Sequence, residues 1–313
     1  MFQRILVPLD GSARAEQALP VAARIARVSG GSVHLLQVVN PPIDYGGGLA
    51  AAPLLSEQVI ESEMSTATDY LKTVAASPGL SGIQISTEVA CGLPAQYILA
   101  VARSGEVDLI VLCSHGRTGF TRWVLGSVAH TLAHESKVHT LILRESEPAS
   151  LMSCSDAARP LCALVPLDGS ALSETAFIPA ARLVAALAAP AQGALRLAQV
   201  VKLVQATADE DFVREINVEA LQRAITYLAI AAERLQMTAK ELGLAITWSV
   251  AQEHDVASAL VDLAEHGEKG CDLIVISTHG RGGLERLVMG SVAERLLTAT
   301  KLPMLIVRPP KQA

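Results

Sequence analysis

Aromatic residues make up only 3% of the 313 positions, while half of all residues are hydrophobic. The core must therefore be built from Ala, Val, Leu and Ile. That composition suits a parallel α/β protein whose central strands are buried on both faces. No apolar stretch approaches the roughly 18 to 20 residues a membrane span needs. Even LVAALAAPA (183–191) is short and is flanked by Arg182 and Gln192.

The five cysteines, Cys91, Cys113, Cys154, Cys162 and Cys271, are odd in number and contain no C-x-x-C pair. Reduced thiols fit this better than a disulfide framework or a zinc site. A net charge of -6 and a pI near 5.8 leave no basic footprint, so no nucleic-acid partner is expected. The start MFQRILVPLD enters a strand pattern at once, with no charged region, apolar region and cleavage site of a signal peptide. The expectation is a cytoplasmic protein with no membrane partner.

The usual enzyme signatures are missing as well. There is no G-x-x-x-x-G-K-[ST] loop and no G-x-G-x-x-G after the first strand. H-E-x-x-H, clustered His/Cys ligands and G-x-S-x-G are also absent.

What the chain does have is a repeat. ILVPLDGS (5–12) returns as ALVPLDGS (163–170), LLQVV (35–39) as LAQVV (197–201), and VDLIVL (107–112) as CDLIVI (271–276). The same parts recur in the same order, so one domain has been duplicated. This divides the chain into a first domain at 1–145, a polar linker at 146–159 and a second domain at 160–313, each close to the roughly 150 residues of an ordinary domain.

Each copy alternates strands and helices. In the first, the pattern predicts strands near 3–9, 33–39, 83–90, 107–112 and 138–143, with helices near 13–28, 56–76, 94–104 and 127–135. The second copy predicts strands near 162–167, 195–201, 244–250, 271–276 and 303–307, and a longer second helix near 208–241. A βαβα order implies a parallel sheet with right-handed crossovers and helices on both faces. NPPIDYGGGLAAAP (40–53) reads as a loop over the sheet end, and its counterpart KLVQATADE (202–210) lacks the prolines and glycines.

Candidate chemistry gathers at the carboxyl ends of the first and fourth strands, where open α/β sheets bind ligands. The first strand ends in Pro8-Leu9-Asp10-Gly11-Ser12, and the fourth runs into CSHGRTGFTRWVLGS (113–127), repeated as STHGRGGLERLVMGS (277–291). Gly126-Ser127 and Gly290-Ser291 open helices whose first N–H groups offer a seat for phosphate. The competing reading is a helix cap, because Ser291 to Glu294 has the spacing of a capping box. Asp10 and Asp168 read either as ligand contacts or as caps of the first helix.

The pattern G-x-x-G-(nine residues)-G-[ST], between a strand ending in Pro-x-Asp and a last strand LILR (141–144) or LIVR (305–308), resembles the universal stress protein family over both copies. The resemblance implies two tandem open five-stranded parallel sheets of order 3-2-1-4-5, Rossmann-like in the adenine nucleotide alpha hydrolase manner, with ATP at the switch point. It implies that Pro8, Leu9 and Asp10, with Pro166, Leu167 and Asp168, line the adenosine side. Val38 and Val200 would meet adenine through their backbone. Gly116, Gly126, Ser127 and Val128, with Gly280, Gly290, Ser291 and Val292, would hold the phosphates, beside Leu112, Cys113, Ile276 and Ser277.

The sequence departs from the family at the first glycine, which is Cys113 in one copy and Ser277 in the other. Arg117 and Arg281 are within reach of a triphosphate, whereas Arg122 and Arg286 read as solvated charges. His115 and His279 read as loop-fixing hydrogen-bonders rather than catalytic bases, and Cys113 as an inert thiol, since its counterpart is Ser277.

The function implied is a stress-linked regulator or sensor that binds ATP or another adenine nucleotide, accompanied by Mg²⁺, with at most slow hydrolysis. A nucleotide-free interaction module and a true nucleotide hydrolase or transferase are the rival classes. The last strands, VHTLILR and LPMLIVR, read as sheet edges whose pairing, within the chain or in a homodimer, would suit a duplicated domain.

Overall fold

The aliphatic run RILVPL forms strand β1 (Arg4–Leu9), in which Ile5, Leu6 and Val7 are fully buried. The computed structural model describes residues 1–40, 52–115, 125–144, 151, 160–204, 210–267, 270–278 and 289–309. In the first unit β1 is followed by α1 (Ala13–Glu16), α2 (Ala18–Ser29), β2 (Ser32–Val39), α3 (Ala52–Ala75), β3 (Gln84–Cys91), α4 (Pro94–Ser104), β4 (Leu109–Cys113), α5 (Ser127–Glu135) and β5 (His139–Leu143). The second unit repeats this order. It runs β6 (Leu161–Pro166), α6 (Ala171–Glu174), α7 (Phe177–Ala188), β7 (Gly193–Lys202), α8 (Glu210–Glu241), β8 (Leu244–Glu253), α9 (Val256–Glu265), β9 (Leu273–Ser277), α10 (Ser291–Ala299) and β10 (Met304–Val307). The two units are Met1–Glu145 and Ser146–Ala313.

Within each unit these five strands pair in parallel. The first has the order β3-β2-β1-β4-β5, and the second β8-β7-β6-β9-β10. The 3-2-1-4-5 order implied by the family resemblance is therefore present in each unit. The chain turns from β1 toward β2 on one side and from β4 toward β5 on the other. Right-handed crossovers then put α2 and α3 on one face and α4 and α5 on the opposite one. The strand order reverses between β1 and β4, so a crevice opens beyond their carboxyl ends.

The helix predicted over 13–28 is two helices joined at Gln17, and its counterpart breaks at Thr175 and Ala176. Pro20 and Pro179 supply the reason. Without an N–H, neither can bond the carbonyl four residues earlier, so the ladder interrupts at Glu16 and at Thr175. The second of these segments also corrects the sequence reading of apolar runs. Ala171–Ala188 is long and apolar enough to cross a membrane by composition, with a mean hydropathy of 1.4, yet 61% of it is buried. It packs as α6 and α7 inside the second unit.

Strands β4 and β9 begin two residues later than the pattern suggests, because the Asp in VDL and CDL serves the neighbouring strand. The Asp108 carboxylate accepts the N–H groups of Gln3 and Arg4 at 2.8 and 3.1 Å. Asp272 does the same for Cys162 at 2.7 Å. Each acid thus pins the amino end of the central strand.

Gly193 opens β7 where a side chain has no room. A Cβ there would lie 2.4 Å from Val184 Cγ1 and 2.8 Å from Leu244 Cδ2. Gly193→Ala is expected to destabilise the second unit by about 1–3 kcal/mol through overpacking, read as a lower urea midpoint. An unchanged midpoint would show that α7 yields without cost.

Candidate functional site

The DGS turn after β1 is built from its own side chains. Asp10 Oδ1 accepts the Ser12 N–H at 3.0 Å and the Ser12 hydroxyl at 2.6 Å, and Ser12 Oγ accepts the Ala15 N–H at 3.2 Å. In the second unit Asp168 Oδ1 holds Ser170 at 2.9 and 2.6 Å, and Ser170 Oγ accepts from Ser173 at 3.1 Å. Gly11 and Gly169 sit at φ 80° and 86°, a left-handed turn that glycine adopts without strain. The serines are therefore the N-caps of α1 and α6, and the aspartates position those serines. The expectation that Asp10 and Asp168 might themselves cap the helix is corrected.

Beyond β4 the backbone leaves at Ser114 and returns at Gly126, whose N–H donates to the Ser114 carbonyl at 2.8 Å. Gly290 donates to Thr278 at the same distance. A Cβ on Gly126 would lie 2.9 Å from that carbonyl oxygen, and one on Gly290 3.3 Å from the Thr278 oxygen. Glycine is required here for approach to the chain's own strand. The N–H groups of Gly126 and Gly290, expected among the phosphate donors, are engaged with the strand in this structure.

The same contact decides the cap. Gly126 and Gly290 are the N-cap residues, and as glycines they bring no side chain of their own to cap the helix. The first intrahelical bonds run from His130 to Gly126 at 2.9 Å and from Glu294 to Gly290 at 3.0 Å. The N–H groups of Ser127, Val128 and Ala129, and of Ser291, Val292 and Ala293, precede those bonds and belong to the positive end of the helix. Ser291 is the first helical residue rather than the cap, so the capping box suggested by Ser291 and Glu294 does not form. Ser127 and Ser291 are exposed.

Several other expected residues fall into place around these two features. Leu9 pairs in register with Gln37, which sets Val38 one step beyond the end of β1. In the second unit the Leu167 N–H donates to Ala198 O at 2.7 Å, two residues before Val200. Pro8 is half-buried, whereas Pro166, Leu9, Leu167, Leu112 and Ile276 are buried. Those buried side chains leave only backbone to a ligand. Gly116, Arg117, Gly280 and Arg281, with Arg122, His279 and Arg286, lie outside the described residues, as do 41–51 of the expected loop. His115 is 8% exposed, and its Nδ1 lies 3.1 Å from Ser114 Oγ.

The departure from the family glycine has a structural answer in one unit. Ser277 is 5% exposed and its hydroxyl lies 3.3 Å from Thr175 Oγ1, whose own proton goes to Leu172 O at 2.6 Å. The side chain thus turns into the α6–α7 joint, away from the open end of the sheet. Cys113 holds the matched position on β4 and is half-buried.

Two features escaped the sequence reading. Gln37 Oε1 and Gln199 Oε1, in the matched QVV strands, are buried and have no hydrogen-bond partner among the described residues. The repetition of Gln was visible in LLQVV and LAQVV, but its burial was not. Tyr70 donates to Glu16 at 3.0 Å, and Tyr227 to Glu174 at 3.0 Å, tying each short first helix to the long second one. Burial and the bond to Glu174 push the Tyr227 hydroxyl well above its ordinary range.

A cavity of about 530 Å³ lies at the other end of the first sheet, between the strand beginnings and α4. His34 there meets Ser86 at 2.8 Å and Glu88 at 3.1 Å, and Tyr97 donates to Glu88 at 2.9 Å. These groups satisfy one another across β2, β3 and α4. The second unit has Arg196, Thr247 and Ser249 at the corresponding places in its register.

The two glycine contacts differ in tightness, which gives a direct test of their structural role. Gly126→Ala is expected to lower stability by about 1–3 kcal/mol and Gly290→Ala by less. Denaturant unfolding of the two single variants measures the difference, and equal losses would count against the loop-closure account.

The universal stress protein family model matches residues 1–144 and 163–308. A universal stress protein of Mycolicibacterium smegmatis is 25% identical over 307 residues, covering 97% of each chain. One from Mycobacterium tuberculosis is 26% identical over 324 residues, covering 97% of this chain and 96% of the other. Among solved structures, a universal stress protein from Archaeoglobus fulgidus superposes with a TM-score of 0.64 at 19% identity, covering 98% of this chain and 99% of that one. With both halves matched and every strand and turn of the pattern present twice, the chain belongs to the universal stress protein family as a tandem two-domain member.

Proposed function

We propose that the chain is a cytoplasmic regulator that binds ATP or another adenine nucleotide in its two crevices. The observation that carries this reading is the pair of helix starts at α5 and α10 whose N-cap is a glycine, with no side chain of its own to accept from the helix. Each follows a strand adjacent to the one that ends in the DGS turn. An open helix N-terminus with no side-chain acceptor is a seat for an anion. The neighbouring aspartate is an acceptor for hydroxyl donors such as those of a ribose. One end of the sheet therefore offers both signs that a nucleotide needs.

In this reading the N–H groups of Ser127, Val128 and Ala129, and of Ser291, Val292 and Ala293, hold phosphate oxygens. The hydroxyls of Ser127 and Ser291 assist them, and Mg²⁺ arrives on the phosphates. Asp10 and Asp168 receive the sugar, and the backbone at Val38 and Val200 meets the base. The unpartnered amide oxygens of Gln37 and Gln199 support a ligand-shaped gap at the same strand ends, because a buried acceptor without a donor costs about 1–3 kcal/mol. Hydrolysis is slow at best, since His115 is buried beside Ser114 rather than held out to a water. The output is binding itself: nucleotide biases the segments 40–53 and 113–126 and so changes how a partner meets the protein.

Saturation at about 100 times Kd should raise stability by roughly 2.7 kcal/mol, read as an ATP-dependent rise in Tm. Ser127→Asp with Ser291→Asp should abolish that rise without harming the fold, because a carboxylate at an exposed first helical position favours the helix while repelling phosphate. A rise that survives in the double variant moves the phosphates elsewhere. No rise in the natural sequence, with ATP, AMP or cyclic AMP, removes the nucleotide reading altogether.

A further inference from the structure

Cys162, near the start of β6, and Cys271, in the segment entering β9, bring their sulfurs to 3.6 Å although 109 residues separate them. Both side chains are buried, at 6% and 5% exposure. The backbone is fixed on either side of the contact. Cys162 donates its N–H to the Asp272 carboxylate at 2.7 Å, and its carbonyl accepts the Asp272 N–H at 2.7 Å. Cys271 donates to Ala264 O at 2.6 Å, which ties it to the end of α9. The two thiols are thus held face to face by three hydrogen bonds among β6, the segment entering β9 and the end of α9. At the matched positions the first unit has Arg4 and Val107, so the pair belongs to the second unit alone.

We propose that Cys162 and Cys271 are an oxidation site at which hydrogen peroxide closes a disulfide between the start of β6 and the segment entering β9. One sulfur, as thiolate, attacks a peroxide oxygen and breaks the O–O bond, which leaves a sulfenic acid and releases water once the departing hydroxide takes up the thiol proton. The second sulfur attacks the sulfenic sulfur, expels its oxygen as a second water and forms the S–S bond. Two thiols and one peroxide become one disulfide and two waters. The cysteines together give up two electrons and the peroxide accepts them.

Geometry and burial define which oxidant fits. The sulfurs, 3.6 Å apart, need to close by about 1.5 Å to reach disulfide length. Peroxide leaves only an oxygen on the intermediate. A bulky disulfide such as oxidised glutathione passes through a mixed disulfide, for which a buried pair leaves no room. The reaction is slow. The hydrogen bond to Cys162, burial and the nearby Asp272 push the Cys271 thiol up, Arg196 opposes this only in part, and thiolate is scarce. The bond lies at the amino end of the sheet, opposite the DGS turn and the start of α10. It braces the second unit from behind and leaves the proposed crevice untouched.

The test uses the full chain. Protein treated with hydrogen peroxide is unfolded, alkylated and digested without reductant. A linked peptide holding Cys162 and Cys271, two hydrogens lighter than the separate thiol peptides and reversed by dithiothreitol, is the expected product. The oxidised chain should also unfold at a higher temperature, and Cys162→Ser and Cys271→Ala should both lose that rise. The proposal is overturned if both thiols still alkylate fully after a dose that oxidises exposed Cys91. It is equally overturned if they advance to sulfinic acid without linking. An ATP-dependent Tm rise that is the same before and after oxidation tests the nucleotide reading separately.

Discussion

The carbonyl of Ser114 receives the N–H of Gly126, and the carbonyl of Thr278 receives that of Gly290, each at 2.8 Å. This contact brings the chain back to the end of its own strand after an excursion of about a dozen residues, and it fixes the residue at which the next helix begins. It favours glycine, because a Cβ would stand 2.9 Å from the oxygen in the first unit, too close without a shift, and a tight 3.3 Å in the second. Through this bond the glycine becomes the N-cap, and the serine that follows is carried into the helix as its first residue. The open helix start is thus a consequence of loop closure. A side-chain cap and this closure exclude each other at the same position.

The neighbouring turn is built the opposite way. At the end of β1 and β6 a serine side chain closes the helix start, and an aspartate behind it holds that serine at 2.6 Å. Of the two helix starts at this end of each sheet, one is sealed from within and carries an acceptor, while the other is left with donors. That division of sign follows from which residue lands on the N-cap, Ser in one place and Gly in the other. It requires no cationic side chain in the crevice. The surplus of acidic residues over basic ones is therefore no obstacle to binding an anion at this end, since the field there comes from backbone dipoles acting over one helical turn.

The strands were legible in the sequence because each buried strand is an aliphatic run and the duplication shows every part twice, while their order in the sheet came with the family resemblance. The break at Gln17 was equally available, in Pro20 and Pro179, but amphipathic periodicity runs smoothly across it and hid it. The capping box at Ser291 and Glu294 was misread for a different reason. Spacing alone cannot tell which residue is the cap, and the answer depends on a hydrogen bond to Thr278, twelve residues away. Asp108 and Asp272 looked like the openings of strands, whereas they are partners of β1 and β6, a role set by sheet register. The thiol pair was invisible for the same cause: contacts across a sheet do not show in a one-dimensional spacing.

Duplication makes the two crevices similar in backbone but not in their fixed points. At the joint between the first two helices the second unit has Thr175, whose hydroxyl bonds Ser277 at 3.3 Å, and the matched residue of the first unit is Gln17, whose buried Oε1 has no hydrogen-bond partner. Ser277 and Cys113 stand at the position where the family has its first glycine. In the second unit the extra side chain is tied down under the sheet end by a neutral hydrogen bond, and the tie also joins β9 to the helix layer behind it. In the first unit a sulfur replaces the oxygen and makes at best a weak hydrogen bond. The repeat therefore supplies one architecture twice, and the residues that differ between copies, rather than those that recur, decide how each copy is used.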